Sequence, residues 1–204
     1  LNAASAQPQT RIPGETHIPG EPQIPGELGI WLLIFGEMTV FASLFASFLY
    51  ARHGDVAGFV AGQAHLSKAI GLANTLLLLT SSLFVAKAVE ATKRGDITAA
   101  PRQFALGLAC AAGFVMIKAV EYAHLFEQGI AVGSHPFFAY YFGLTALHLG
   151  HVLIGSVLLS ALTLTTRKPL FKPLHLALVE SAGCFWHMVD LLWIMIFALI
   201  YLVE

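Results

Sequence analysis

From residue 28 onward the chain alternates long apolar runs with short polar breaks. Five runs reach the roughly 20 residues that a membrane-spanning helix requires. They cover about 28–51, 69–91, 103–126, 137–166 and 174–203. The breaks read "RHGDVAGFVAGQ", "KRGDITAAPRQ", "EQGIAVGSHP" and "RKPLFKP". Their Gly, Pro and Asp residues are turn formers and helix terminators. The pattern predicts an all-α polytopic membrane bundle of five transmembrane helices. Nothing divides 28–204 into two units.

The first 27 residues follow another rule. In "IPGETHIPGEPQIPGE" the tetrapeptide Ile-Pro-Gly-Glu occurs three times at a spacing of six. Pro-Gly favours a turn with glycine at the positive-φ position. Three such turns cannot bury a core, so 1–27 is expected to be a polar tail or strap.

Composition agrees with the membrane reading, since 57% of the 204 residues are hydrophobic and 11% charged. Soluble domains carry about 25% charged residues, so this chain has too little polar surface to cover a globule in water. The net charge of −1 gives no global attraction to nucleic acid. Cys110 and Cys184 fall in apolar runs without CxxC or zinc spacing, and are expected as small buried hydrophobes.

Charge sets the expected orientation. Arg11, Lys87, Lys93, Arg94, Arg102, Arg167, Lys168 and Lys172 all fall on one side of a five-helix chain, against Arg52 and Lys68 on the other. By the positive-inside rule the N-terminus is cytoplasmic and the C-terminus outside.

Ionisable groups inside spanning helices are costly, usually face the bundle interior, and are functional candidates. The candidates are Glu37 and Asn74 on the first two helices and Lys118 and Glu121 on the third. His148 and His151 lie on the fourth, and Glu180, His187 and Asp190 on the fifth. Lys118 and Glu121, at i and i+3, can pair on one helix face. Glu180, His187 and Asp190 form one polar stripe, with Trp186 and Trp193 beside it. At ~1.5 Å of rise per residue, Lys118, His151 and His187 are expected at one depth. Glu121, His148 and Asp190 are expected slightly nearer the outside, with Glu37 nearer the cytoplasm and Glu180 below it.

Several chemistries compete for the pair in "TALHLGHVLIG". His148 and His151 could supply two metal ligands, with His187 and a carboxylate completing the set. The further histidines that a membrane di-iron or haem-copper centre uses are missing, so no metal is expected. A stand-alone proton-coupled transporter is the alternative, although no related pair of broken helices is visible. The favoured reading is structural and partner-binding, with polar side chains bonding between helices and Gly143 and Gly150 allowing close approach.

These elements also carry a resemblance. "ALHLGHVLIG" resembles the H-x-x-H-V-x-x-G element of cytochrome c oxidase subunit III. "ESAGCFWHMVDLLWIMIFALIYL" resembles that family's last helix, with Glu180, Trp186, His187, Val189, Asp190 and Trp193 at matching spacings. "IKAVEY" resembles its Glu-Tyr element at Glu121 and Tyr122, "ANTLLLLTSS" its Asn-Thr element at Asn74 and Thr75, and "FGEMTVF" its buried glutamate at Glu37. The order is the same from residue 28 to the C-terminus.

The longer family form has seven helices. This chain is similar to the five-helix form of quinol oxidase subunit III and of the accessory protein associated with nitric oxide reductase. "GELGIWLLIFGE" and "FWHMVDLLW" lean toward the latter. The resemblance implies a non-catalytic accessory subunit of a haem-copper respiratory complex in the bacterial inner membrane. It implies no cofactor in this chain, with haem and copper or iron in a catalytic partner whose stability and proton uptake it supports. It also implies phospholipid binding, for which Glu37, His151 and Trp186 are the candidates.

Overall fold

A computed structural model describes residues 28–168 and 173–203, and all of its regular structure is helical. The 1–27 tail with its three repeats lies outside the described residues, as do Lys172 and Glu204. The elements are α1 (Leu28–Gly54), α2 (Val56–Gln63), α3 (Lys68–Lys93), α4 (Ala99–Glu127), α5 (Pro136–Thr165) and α6 (Pro173–Phe197). The last continues into a single π-helical turn, Ala198–Leu202. Five of these helices, all but α2, are long and apolar enough to cross a membrane. They coincide with the five apolar runs.

The helix ends are set by local chemistry. Asp55 accepts from the Gly58 N–H at 3.0 Å and opens α2. Asp96 Oδ1 accepts from the N–H groups of Thr98 and Ala99 at 3.0 and 2.9 Å and opens α4. His135 Nδ1 accepts from Phe137 N–H at 3.1 Å, with Pro136 in the first turn of α5. Helices α3 and α4 end on Gly95 (φ +72°) and Gly129 (φ +77°). The Asp96 N–H then reaches back to Ala91 O, and Ile130 N–H to Leu125 O, each at 3.0 Å. A left-handed residue at this place frees the next N–H to satisfy an otherwise unpaired carbonyl, which is why glycine stands there.

Helices α3, α4, α5 and α6 close a ring in which chain neighbours pack side by side and α6 returns against α3. Helix α6 carries the largest share of the core, including Trp186, Val189, Leu192, Trp193 and Ile196, all 0% exposed. Helix α1 rests on the outer edge formed by α5 and α6. It buries Phe41 and Phe48 but leaves Leu32, Phe35 and Val40 at least half exposed. Lipid tails are the natural cover for such a face. The starts of α1, α4 and α6 share one end of the bundle (the tail end). The starts of α3 and α5 share the other with α2 (the α2 end).

Three expectations are corrected. The break after the first run is not all turn, because 56–63 forms α2. It is eight residues long, too short to cross a membrane, and it packs Phe59 against Phe48, Phe137 and Tyr140. Gly143 and Gly150 are not contact points, since nothing lies within 4 Å of where a Cβ would stand on either. Close approach occurs instead at Gly155, where a Cβ would stand 2.6 Å from the Trp186 ring, and at Gly71, 2.7 Å from Phe197. Cys110 and Cys184 are free and half-buried rather than buried.

The α2 end is tied to the end of α6 by long-range bonds. Gln63 Nε2 donates to the carbonyls of Ile200 and Val203, each at 2.9 Å, and Arg52 donates to Val203 O at 3.3 Å. The final carbonyls of a helix have no partner within it, and here side chains from α1 and α2 serve them.

Candidate functional site

The spacing of Lys118 and Glu121 puts both on one face of α4, and they pair at 2.7 Å. They are 1% and 6% exposed. An ammonium has three protons to place. Lys118 donates them to Glu121 Oε2, to Tyr201 Oη at 3.1 Å and to Tyr141 Oη at 3.2 Å. Tyr201 in turn donates to Glu121 Oε1 at 2.8 Å. Four rings surround the cation, with centroids at 4.8 Å (Tyr141), 5.2 Å (Trp193), 5.5 Å (Tyr122) and 5.7 Å (Tyr201). Their negative faces stabilise a desolvated cation. Helices α4, α5 and α6 and the π turn thus join around one charged group.

The two histidines of α5 part company. His151 turns toward α1, where its Nε2 lies 3.2 Å from Glu37 Oε2. Its Nδ1 is 2.9 Å from Leu147 O and must carry hydrogen to donate there. His148 turns inward between Phe114 and Trp193, with ring centroids at 5.6 and 5.2 Å. Neither of its nitrogens has a hydrogen-bond partner among the described residues. Among the described residues neither histidine makes the expected hydrogen bond between helices: His151 bonds within α5 and only approaches Glu37 across the seam, and His148 has no partner.

The polar stripe of α6 runs along its seam with α3. Glu180 pairs with Lys93 at 2.7 Å and His187 Nδ1 lies 2.6 Å from Ser82 Oγ. Asp190 is buried, and neither carboxylate oxygen is hydrogen-bonded among the described residues. Both polar atoms of Asn74 on α3 are in the same state, as is the indole nitrogen of Trp186. Trp193 donates to Thr75 Oγ1 at 3.0 Å.

Expected shared depth does not bring these groups together. Lys118 reaches Tyr141, ten residues and thus about 15 Å along α5 from His151. His187 faces α3, whereas His151 faces α1 at the level of Glu37. Glu121, His148 and Asp190 likewise have separate surroundings. Depth along an axis says nothing about which way a side chain turns around it. Tyr141 and Tyr201 were not among the sequence candidates. Their only signal is a phenol inside an apolar run, which reads equally well as core.

Two cavities adjoin these groups. A groove of about 320 Å³ between α1, α5 and α6 has Glu37 and His151 in apolar walls that include Leu33, Ile154, Leu178 and Phe185. Trp186 does not line it, being fully buried with its ring on Gly155. A second cleft, about 380 Å³, opens at the α2 end between the link before α3 and the last turns of α4. Its lining includes His65, Ser67, Glu121, His124 and Glu127. Among the described residues, no three His, Cys, Asp or Glu side chains converge where they could hold a metal ion.

A cytochrome c oxidase subunit 3 from Corynebacterium diphtheriae is 31% identical over 170 residues, covering 82% of this chain and 83% of that protein. A quinol oxidase subunit 3 from Bacillus subtilis is 27% identical over 175 residues, covering 86% and 85%. A cytochrome c oxidase subunit 3 from Synechocystis is 29% identical over 195 residues, covering 95% and 82%. The model of the family described as "Cytochrome c oxidase subunit III" matches residues 23–204. That match takes in all five apolar helices and both cavities, and the chain belongs to the cytochrome c oxidase subunit III family.

Proposed function

We propose that this chain is a non-catalytic accessory subunit of a haem-copper respiratory complex, a terminal oxidase or a nitric oxide reductase. The observation that carries this reading is the family match over residues 23–204, with relatives named as subunit 3 of cytochrome c and quinol oxidases. Haem and copper or iron belong to the catalytic partner, and this chain carries no cofactor. It binds that partner within the bilayer of a bacterial inner membrane, with the tail end cytoplasmic. The orientation rests on the excess of Lys and Arg at that end.

Its contribution is to the partner's stability and proton uptake. Two features support this. Glu37 and His151 stand 3.2 Å apart at the edge of an apolar groove, where a pair of ionisable side chains is accessible from outside the bundle. The groove walls are apolar on α1, α5 and α6, and a phospholipid chain fits them, with Glu37 and His151 as its polar contacts.

Mild detergent extraction from native membranes through a C-terminal affinity tag tests the proposal. A haem-containing catalytic subunit should co-purify in stoichiometric amount, and its identity separates oxidase from nitric oxide reductase. Recovery of the chain without any haem protein from membranes that contain the assembled complexes would overturn the proposal.

A further inference from the structure

We propose that the Lys118–Glu121 pair is a proton-binding site, loaded from the α2 end through the cleft beside Glu121. The site is separate from the Glu37–His151 groove. It stands whether or not the chain assists a partner's proton uptake.

The pair is poorly explained as a device for stability alone. Burying two charges costs several kcal/mol each, and apolar residues of similar volume often serve a fold as well. The cage around Lys118 also exceeds what pairing requires. Three acceptors take its three protons, and four rings face it. When Glu121 takes up a proton the ammonium loses its charged partner, which makes loading costly and confines it to acidic conditions. The rings and phenol oxygens remain to stabilise the cation.

Access is one-sided. Glu121 lines a cleft of about 380 Å³, room for several waters at roughly 30 Å³ each. His65, His124 and Glu127 stand around the same cleft and can pass protons from the aqueous rim. On the inner side the path stops. The Trp193 N–H is committed to Thr75 Oγ1, which donates to Gly71 O at 2.9 Å. Phe114 packs edge-on to Trp193 at 4.8 Å. Beyond it His148 has no hydrogen bond among the described residues.

The titratable and charged groups facing the pair come from each neighbouring element. Helix α4 supplies Tyr122, α5 supplies Tyr141 and, across the Trp193 ring, His148, and the π turn supplies Tyr201. The cleft adds His65, His124 and Glu127, while the α3 side contributes the uncharged Ile70 and Ser67. In the loading step a hydronium in the cleft gives its proton to the Glu121 carboxylate, leaving a carboxylic acid and a water. Lys118 keeps its proton, so the cluster passes from net zero to +1. Unloading is the reverse.

Infrared difference spectroscopy on the full chain in lipid nanodiscs tests this. Acidification should produce a protonated-carboxyl C=O band that shifts in D2O. The band should persist in Glu37→Gln and vanish in Glu121→Gln. A band unchanged by Glu121→Gln, or no band at all, would overturn the site. Ala123→Trp keeps the test open if Glu121→Gln fails to fold, because it fills the cleft and leaves the cage intact. Hydrogen–deuterium exchange of the band should then slow about tenfold or more, since exchange would require local opening. Unchanged exchange in Ala123→Trp would rule out loading through the cleft.

Discussion

His135 and Asp55 cap two helices through one contact. His135 Nε2 lies 3.0 Å from Asp55 Oδ2, while Asp55 caps α2 through Gly58 N–H and His135 caps α5 through Phe137 N–H. Because Nδ1 accepts from a backbone N–H, the ring donates through Nε2. The Gly58 N–H, and after it His135, hold the Asp55 carboxyl below its ordinary value of 3.8. A carboxyl lowered on folding stabilises the fold above its unfolded value, and that contribution fades as pH falls through the folded value. The α2 end should therefore be insensitive to Asp55 between pH 7 and about pH 5, and loosen only below about pH 4. Amide hydrogen exchange of α2 against pH measures it. Asp55→Asn, which can still cap, should flatten the acid response. Gly58→Ala should raise exchange at every pH, since a Cβ there would collide with both Asp55 and His135.

The Lys118–Glu121 pair should show strong non-additivity. Lys118→Met leaves a buried carboxylate facing Tyr201, and Glu121→Leu leaves a buried ammonium. Breaking a buried pair from one side costs about 3–5 kcal/mol. The double variant removes both charges and should cost clearly less than the sum of the two single variants. Unfolding of the full chain by SDS titration in mixed micelles gives the three differences. Additive costs would mean that the two groups do not interact.

Much of this architecture was legible before the fold was known, for identifiable reasons. Spanning helices must be long and apolar whatever their neighbours, so the five runs were visible from length alone. Lys118 and Glu121 were paired correctly because i, i+3 contacts lie within one helix. The histidines of α5 show where this stops. Three residues apart means about 60° apart around the axis, enough for His148 to face Trp193 while His151 faces Glu37 on α1. Contacts between helices depend on rotation and neighbour choice, which spacing within one helix does not contain. For the same reason the close approach falls at Gly155 rather than Gly143 or Gly150.

His148 offers a test of its own. It is 0% exposed, with no hydrogen bond to either nitrogen among the described residues, and aromatic neighbours lie on two sides. An unpaired buried polar group costs about 1–3 kcal/mol. His148→Phe keeps the ring and removes the polar atoms, so the melting temperature should hold or rise. A marked fall would mean that the imidazole has a partner on another chain or a bound water.

Gly155 should be far less tolerant than Gly150 on the same helix. A methyl at 155 would press on the Trp186 ring, which is itself fully buried beside Phe185. The ring cannot move without disturbing the core of α6. Overpacking of this kind costs about 1–3 kcal/mol, so Gly155→Ala should lower the melting temperature. Gly150→Ala, with nothing within 4 Å, should leave it unchanged or slightly raised.

Glu37 should be the spanning carboxylate that a hydrophobic carbodiimide finds first. Its side chain is about one-third exposed, and it lines an apolar groove open to the outside of the bundle. Glu121 and Asp190 are buried, at 6% and 4% exposure, and Glu180 is tied to Lys93. An apolar reagent partitions into lipid and reaches the groove from there, whereas a water-soluble carbodiimide meets Glu90 and Glu127 at the polar ends. Mass spectrometry after labelling in membranes should place the hydrophobic adduct on Glu37 and the soluble one on those end residues. Delipidation before labelling should raise the Glu37 yield if phospholipid occupies the groove, and added phospholipid should lower it again. Equal labelling of Glu37 and Glu121 by the hydrophobic reagent would contradict the burial described for the Lys118 cage. Labelling indifferent to lipid would count against a lipid in the groove.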